Sequence, residues 1–136
     1  MTAQAMTSKE VVEKFFELFD ADDLVPFKRI LHPQISWTMM GTSIPGFGTP
    51  YSGPDVIVDT VIAPARAQFD GRPVSKLKNL IAAGPWVVAE IEGFGNFKDG
   101  RKYQNSYCIV FEVQDGLVKT LREYMDTGYI LKLMQH

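Results

Sequence analysis

Two glutamates, Glu90 and Glu92, are the side chains whose type and spacing most directly suggest chemistry in this sequence. In a β-strand, residues i and i+2 point to the same face, about 7 Å apart along the backbone. Two carboxyls in an apolar pocket do not both ionise readily, because burial and mutual repulsion raise at least one pKa by about one to three units. Such a pair would supply a base and an acid near neutral pH, as enolisation, aldol closure, dehydration or epoxide opening requires.

The residues around these glutamates also permit the opposite orientation. The aliphatic residues that alternate with them are Val87, Ala89 and Ile91. This aliphatic set could face the core while Glu90 and Glu92 face water, and alternation alone leaves both orientations open. If the glutamates line a cavity, the aliphatic set lies on the outer face of the sheet with Cys108 and Val110, where only a partner can cover it. The cavity orientation therefore predicts a homodimer that packs sheet to sheet.

Composition limits the class of protein. The chain has 136 residues, of which 46% are hydrophobic and 22% charged, and a formal net charge of −2, which is typical of a soluble single domain without a basic surface for nucleic acid or anionic membranes. One cysteine, Cys108, excludes an internal disulfide and favours a reducing, cytoplasmic compartment. We see neither a signal peptide nor an apolar run of about 18 residues. No histidine cluster has metal-ligand spacing, so we expect neither a metal nor another cofactor.

Helical patterns dominate the first half of the chain. Residues 1–6 are predicted to be a flexible tail, and Thr7 with Glu10 has the spacing of a capping box that begins a helix. The apolar stripe of this first helix comprises Val12, Phe15, Phe16 and Phe19. A second helix is predicted from Leu24 to Leu31 and a third from Pro54 to about Phe69, with an interruption at Pro64.

Strand patterns follow a first strand near residues 35–39. Predicted strands cover residues 74–82 and 87–97, and a long hairpin spans 103–127 with its turn at Asp115-Gly116. Residues 41–53 contain four glycines and two prolines, and we interpret them as a lid because they also carry apolar side chains. Three helices followed by antiparallel strands predict one α+β domain over residues 7–136.

The order of these elements resembles the cone-shaped nuclear transport factor 2-like fold. Within that superfamily, the second half of the chain is similar to the SnoaL-like group, which includes polyketide cyclases and is related to ketosteroid isomerases and limonene-1,2-epoxide hydrolases. The residues that carry the resemblance are Leu31-His32-Pro33, Trp37, Asp99-Gly100-Arg101-Lys102-Tyr103, Asn105, Tyr107, Asp115-Gly116 and Arg122-Glu123-Tyr124-Met125-Asp126-Thr127. The resemblance implies a curved sheet and three helices that enclose a mostly apolar pocket.

The resemblance also adds Glu123 to the candidate site. The two catalytic aspartates of the epoxide hydrolase correspond to Glu92 and Glu123, and its arginine corresponds to Glu90. Its two water-binding residues correspond to Trp37 and Met39, so the arginine and both water-binding groups are missing. This argues against epoxide hydrolysis by that mechanism, which needs a proton donor and a positioned water. The two aspartates of ketosteroid isomerase are not retained either.

The residues that we expect to act are therefore implied partly by strand parity and partly by the resemblance. The predicted catalytic residues are Glu92, Glu123, Glu90 and Tyr107. The predicted substrate-binding residues are Asn105, Trp37, Met39, Phe47, Tyr51, Ile109, Phe111 and Leu121. For Asn105 and Tyr107, hydrogen bonding within a mixed core is an equal alternative.

Three hypotheses about function follow. The first is a cofactor-independent acid/base enzyme (cyclase, isomerase, dehydratase or hydrolase) that acts on a small hydrophobic oxygenated ring compound such as a polyketide or terpenoid. The second is a protein of the same fold that binds such a compound without transforming it. The third is a dimerising or accessory protein whose cone is filled by its own side chains.

Overall fold

The computed structural model describes residues 5–135, which form helices and one six-stranded sheet. The helices are α1 (Ser8–Phe19), α2 (Val25–Ile30), α3 (Pro54–Val56), α4 (Ala63–Arg66) and α5 (Thr127–Met134), and a π-helical segment, Ile57–Ile62, joins α3 to α4. The strands are β1 (Leu31–Met39), β2 (Tyr51–Ser52), β3 (Val74–Ala83), β4 (Trp86–Asn96), β5 (Lys102–Gln114) and β6 (Leu117–Met125). Most of the predicted tail, residues 1–4, lies outside the described residues.

Helix α1 supplies the aromatic centre of the core. The predicted capping box is present, because the Thr7 side chain accepts from Glu10 N while the Glu10 carboxylate accepts from Thr7 N. The ring of Phe15 lies at the centre of the core, with centroids 5.0 Å from both Phe27 and Phe111 and 5.9 Å from Trp37. These contacts join α1, α2 and the sheet into one hydrophobic core.

The sheet order is β2-β1-β6-β5-β4-β3, and all pairs are antiparallel except β1 with β6. Its central hairpin, β5–β6, turns at Asp115 and Gly116, both of which have positive φ as a type I′ turn requires. The predicted α+β class is confirmed, and the sheet is mixed rather than wholly antiparallel as predicted, because β1 and β6 are parallel.

The two faces of the sheet differ in burial. The inner face is defined by one row of paired residues, Trp37, Leu121, Phe111 and Val87, all of which are buried against the helices. The next residue along each strand points to the outer face; these residues are Thr38, Arg122, Val110 and Val88. Because side chains alternate, every second residue of β4, β5 and β6 can be assigned to a face from the register.

Several element boundaries differ from prediction. Strand β1 begins at Leu31. His32 and Pro33 were expected to end the second helix, and they lie instead near the start of this strand. The predicted third helix ends at Arg66 and is interrupted by the π-helical segment. Pro64 has no N–H to bond the carbonyl of Thr60, and the neighbouring Ala63 N–H instead reaches Val58 O, five residues back. Within residues 5–135, no helix is long and apolar enough to span a bilayer.

Candidate active site

Glu123 places a carboxyl on the inner face of the sheet. It pairs with Met39 on β1 and with Ile109 on β5, one row along from the buried row that contains Trp37. Directly opposed side chains on a sheet lie with Cβ atoms about 4.5–5.5 Å apart, so both neighbours of this carboxyl in its own row are apolar. Glu123 as a whole residue is partly buried.

This environment changes the acidity of Glu123. Desolvation by burial raises the pKa of its carboxyl to about 7, because the charged form loses hydration that the apolar neighbours do not replace. The Trp37 indole opposes this shift by favouring the ionised form. Trp37 Nε1 is itself buried without a hydrogen bond of normal distance and angle, although it lies close enough to Glu123 to influence its pKa. A carboxyl with this pKa exchanges protons readily at neutral pH.

Two phenols lie beyond Glu123 on the inner face of β5. The hydroxyls of Tyr103 and Tyr107 hydrogen-bond to each other. Burial raises the pKa of both phenols, and the charge of Glu123 raises both further. Both tyrosines keep partial exposure. The site therefore combines a carboxyl that can exist as a base with two hydroxyls that remain protonated donors.

Two glycines on β4 make room for these aromatic rings. Gly93 pairs with Asn105, and a Cβ at Gly93 would lie 3.0 Å from Cε2 of Tyr107. Gly95 pairs with Tyr103, and a Cβ there would lie only 2.5 Å from the ring of Phe69. The absence of side chains at these two positions lets the rings of Tyr107 and Phe69 approach the backbone of β4 closely.

Comparisons with known proteins are consistent with this architecture. The model of the SnoaL-like domain matches residues 12–121, which is most of the chain. The chain belongs to the SnoaL-like domain family. The match ends two residues before Glu123, so it includes both phenols but not the carboxyl. None of the curated proteins matches this chain.

Solved structures show the same fold. A nuclear transport factor 2-like protein from Burkholderia thailandensis is 25% identical, with a TM-score of 0.84 and coverage of 96% of this chain and 99% of that chain. TerC, co-crystallised with polyporic acid, is 18% identical with a TM-score of 0.81 over 95% and 98% of the two chains. An LEH-like epoxide hydrolase from M. tuberculosis is 19% identical with a TM-score of 0.74 over 96% and 90% of the two chains.

Glu90 and Glu92 lie on the opposite face of the sheet from Glu123. In the register of β4 and β5, Glu90 pairs with Cys108 and Glu92 with Ser106, which places both glutamates on the outer face. There Glu90 accepts from Asn79 Nδ2 at 3.2 Å, and Glu92 lies 3.8 Å from Lys78 Nζ. The prediction that they share a cavity with Glu123 is wrong. Burying the alternate, aliphatic residues of β4 releases apolar surface from water, whereas burying two carboxylates would cost free energy.

The same correction applies to the residues that were expected to need a partner. Val87, Ala89 and Ile91 lie on the inner face and are buried in the core, so the prediction of an outer position is wrong for all three. Cys108 and Val110 do lie on the outer face.

The predicted lining residues fall into two groups. Phe111 and Leu121 are fully buried in the aromatic end of the core, where Phe111 packs against the ring of Phe15. This places them away from any exposed part of the site. Ile109, which is buried, and Met39, which is partly buried, pair directly with Glu123. Trp37, also buried, lies in the next row of the inner face. These three residues can shape a ligand site around the carboxyl.

The loop over residues 41–53 folds back against the end of β1. Gly48 N donates to Met39 O at 2.7 Å, and the Tyr51 hydroxyl donates to Gly46 O at 3.3 Å. Gly48 has a φ of 77°, and a Cβ there would lie 2.7 Å from Gly41 O, so this close return needs glycine. Gly41 lies close to the side chains of both Phe47 and Thr127, the first residue of α5. The loop is thus anchored beside Met39, a neighbour of Glu123.

Asn105 is buried, and its amide is bonded to main-chain groups. Its Oδ1 accepts from Ser106 N at 2.9 Å, and its Nδ2 donates to Asp126 O at 3.4 Å. Asn105 also borders a surface depression of about 450 Å³, together with Tyr129 on α5. These bonds secure β5 to the start of α5 where β6 has ended.

Tyr103 was not among the residues predicted from sequence to act. The signal was present, since Tyr103 lies four residues before Tyr107 and therefore on the same face of one strand. Among the residues that the structure describes, no group of three or more His, Cys, Asp or Glu side chains is placed to hold a metal ion.

Proposed function

We propose that this SnoaL-like protein is a cofactor-independent acid/base enzyme that acts on a small, hydrophobic, oxygenated ring compound such as a polyketide or terpenoid. The observation that carries the proposal is the Glu123 carboxyl, which burial tunes to a pKa of about 7 beside two phenols that stay protonated. A base works best when its pKa lies near the working pH, and a phenol donor stabilises an oxygen that becomes negative.

In the proposed reaction, the Glu123 carboxylate removes a proton from a carbon next to a carbonyl group. The electrons of the C–H bond form an enolate, whose oxygen accepts a hydrogen bond from the Tyr103–Tyr107 pair. Return of the proton from the Glu123 carboxylic acid to another carbon gives isomerisation. Alternatively, the enolate carbon attacks a second carbonyl and closes a ring, and the proton on Glu123 passes to the alkoxide that forms. Dehydration and water addition can use the same acid and base, so the reaction class remains cyclase, isomerase, dehydratase or hydrolase.

The similar structures support this class. Polyporic acid, the ligand co-crystallised with TerC, is an oxygenated ring compound, and the M. tuberculosis structure is an epoxide hydrolase. A fold shared at this identity hosts several reactions, so the Glu123 site carries the proposal and the similarity only adds to it.

The test begins with ligands. Polyporic acid and a panel of cyclic terpenoid ketones and epoxides are screened by thermal unfolding, where a ligand at 100 times its dissociation constant should stabilise by about 2.7 kcal/mol. Each stabilising compound is then incubated with the protein, and its products are analysed by liquid chromatography and mass spectrometry. Stabilisation without any product would favour the alternative function, a non-catalytic binder. No stabilising compound would favour a filled cone.

Glu123→Gln then tests the base, with Glu90→Gln and Glu92→Gln as matched controls from the outer face. We expect Glu123→Gln to lower kcat by about 10²–10⁴-fold while ligand affinity is retained, because the amide keeps the shape and loses the basicity. The two controls should keep the activity of the unmodified protein. Full activity in Glu123→Gln would overturn the proposal.

We also propose that the protein is a homodimer through the outer face. This proposal rests on residues other than the predicted ones, because the exposed apolar side chains on the outer face are Val74, Ile81, Trp86 and Tyr124. Charged residues, including Glu90 and Arg122, lie among them; aromatic residues and arginine are enriched in interfaces, and a glutamate suits the polar rim. Light scattering on eluted protein at micromolar concentration should give twice the mass of one chain. Trp86→Glu should shift it to the monomer, and a monomeric unmodified protein would contradict the proposal.

A further inference from the structure

We propose that Tyr103 is the phenol that donates to the substrate oxygen and that Tyr107 is a positioning residue that donates to Tyr103. This inference rests on the proposed function and deepens it by assigning different roles to two hydroxyls that contact each other. It differs from the sequence-based prediction, which gave the donor role to Tyr107. Three features of the structure support it.

The first feature is the fixed position of the Tyr103 ring. Its centroid lies 5.6 Å from the rings of both Phe69 and Phe97, at interplanar angles of 79° and 69°. On another side the ring of Tyr129 lies at 5.7 Å. Tyr129 is held in turn, because its hydroxyl accepts from Gln104 N and donates to Lys102 O. A ring with three aromatic neighbours keeps its hydroxyl in one place, as a preorganised donor requires.

The second feature is the environment of Tyr107. Its ring packs against the core and lies next to Gly93, where an added Cβ would be 3.0 Å from Cε2 of the ring. Its hydroxyl is bonded to the hydroxyl of Tyr103. This phenol lies closer to the packed core, where losing a proton costs more free energy.

The third feature is the direction of the hydrogen bond. Only one of the two hydroxyl hydrogens can lie between the two oxygens. Desolvation raises the pKa of Tyr107 far above its ordinary value, and its bond to Tyr103 raises it further. Burial also raises the pKa of Tyr103, but bonds from Tyr107 and from the Asn105 amide lower it. Tyr103 is therefore the more acidic phenol of the pair, and when it gives hydrogen to a ligand oxygen, the Tyr107 hydroxyl donates to Tyr103 Oη and stabilises the charge left there.

The consequence is a two-step donor chain. A hydroxyl whose oxygen accepts a hydrogen bond is a stronger donor, because hydrogen bonds in a chain polarise one another. When the substrate oxygen gains negative charge from the C–H bond broken by Glu123, Tyr103 donates to it. If the proton is transferred, the resulting Tyr103 phenolate is held by Tyr107 and Asn105. The substrate class implied is a compound with a carbonyl oxygen that points to Tyr103 and an adjacent acidic C–H that points to Glu123.

The first test needs no substrate. A 3,5-difluorotyrosine, whose fluorines lower the phenol pKa and report ionisation by fluorine magnetic resonance, is placed at position 103 or 107 in the full chain. Position 124, on the opposite face of the sheet from both phenols, provides a control outside the site. We expect the label at position 103 to ionise at lower pH than the label at 107, and Tyr107→Phe to raise the ionisation pH at 103. A lower ionisation pH at 107 would overturn the assignment, and a melting curve of each labelled protein verifies the fold.

The second test uses turnover of the compound identified with the unmodified protein. Tyr103→Phe should lower kcat by about 10²-fold or more, as loss of a donor to a developing oxyanion does. Tyr107→Phe should lower it less, by about tenfold, with KM nearly unchanged, and Tyr124→Phe should have no effect. Equal activity of Tyr103→Phe and unmodified protein, with Glu123→Gln inactive, would refute the donor assignment and leave the proposed function intact. Full activity of Glu123→Gln would refute the proposed function itself.

Discussion

The Trp37 indole and the Glu123 carboxyl lie in adjacent rows on the inner face of two parallel strands, and the indole favours the charged form of the carboxyl. Burial has the opposite and larger effect, which gives the carboxyl a pKa of about 7. The acidity of the site is thus a balance between desolvation and one buried N–H donor.

This balance predicts that Trp37→Phe raises the pKa of Glu123 above 7, because an apolar aromatic ring is kept while the N–H donor is lost. Titration of the 13C-labelled glutamate side chains should show the shift directly. In the active protein, the pH at which the base becomes competent should move upward with it. Trp86→Phe, on the outer face, is the control, and an unshifted Glu123 in Trp37→Phe would contradict the role of the indole.

Glu123 also predicts how stability depends on pH. Its pKa is raised from 4.5 to about 7 in the folded state, so the native protein binds this proton more tightly than the unfolded chain does. The associated stability is fully present below about pH 4.5, falls as pH rises through 7, and stays lost above it. At 1.36 kcal/mol per pKa unit, the loss is at most about 3 kcal/mol, and less where water screens this partly exposed side chain.

Glu123→Gln isolates this effect from the other titrating groups. Urea unfolding at pH 4.5 and pH 8 should show similar free energies for variant and unmodified protein at the lower pH, and a more stable variant at the higher pH. The controls Glu90→Gln and Glu92→Gln should show no such divergence. A difference that is independent of pH would indicate that the Glu123 carboxyl is not desolvated.

Gly95→Ala tests the close packing that places Tyr103. The new Cβ would lie 2.5 Å from the Phe69 ring, so the ring must move, and we expect a loss of about 1–3 kcal/mol in the free energy of unfolding. The pair Gly95→Ala with Phe69→Leu should lose less than the sum of the single changes, because the smaller side chain removes the overlap. Strict additivity in urea unfolding would contradict the contact.

Phe15→Ala tests the aromatic centre of the core. Phe15 is 2% exposed and contacts rings on α1, α2, β1 and β5, so its removal leaves a cavity that several elements share. The expected cost is about 3–5 kcal/mol in the free energy of unfolding. Val56→Ala, at an exposed position, should change it by less than about 0.5 kcal/mol. A small effect of Phe15→Ala would show that the core does not depend on this ring.

Local sequence signals predicted much of the fold because their physics is local. The Thr7–Glu10 capping box begins α1 at the predicted position, and the Asp115-Gly116 pair forms the turn of the β5–β6 hairpin. In both places the hydrogen bond or the backbone conformation depends on residues within a few positions of each other. The π-helical segment was not predicted, since its geometry depends on how Pro64 and the buried residues before it fit under the sheet.

The sequence by itself determined the fold class, the order of the elements and the presence of acidic and phenolic side chains on the strands. Only the tertiary structure decided which of those side chains share a face of the sheet with a buried environment. Either set of alternating residues on a strand can face the core. In the register of β4 with β5, Ile91 faces the core and Glu92 faces outward. The packing of β6 against β1 and β5 then made Glu123 the desolvated carboxyl, because desolvation depends on neighbours that are distant in sequence.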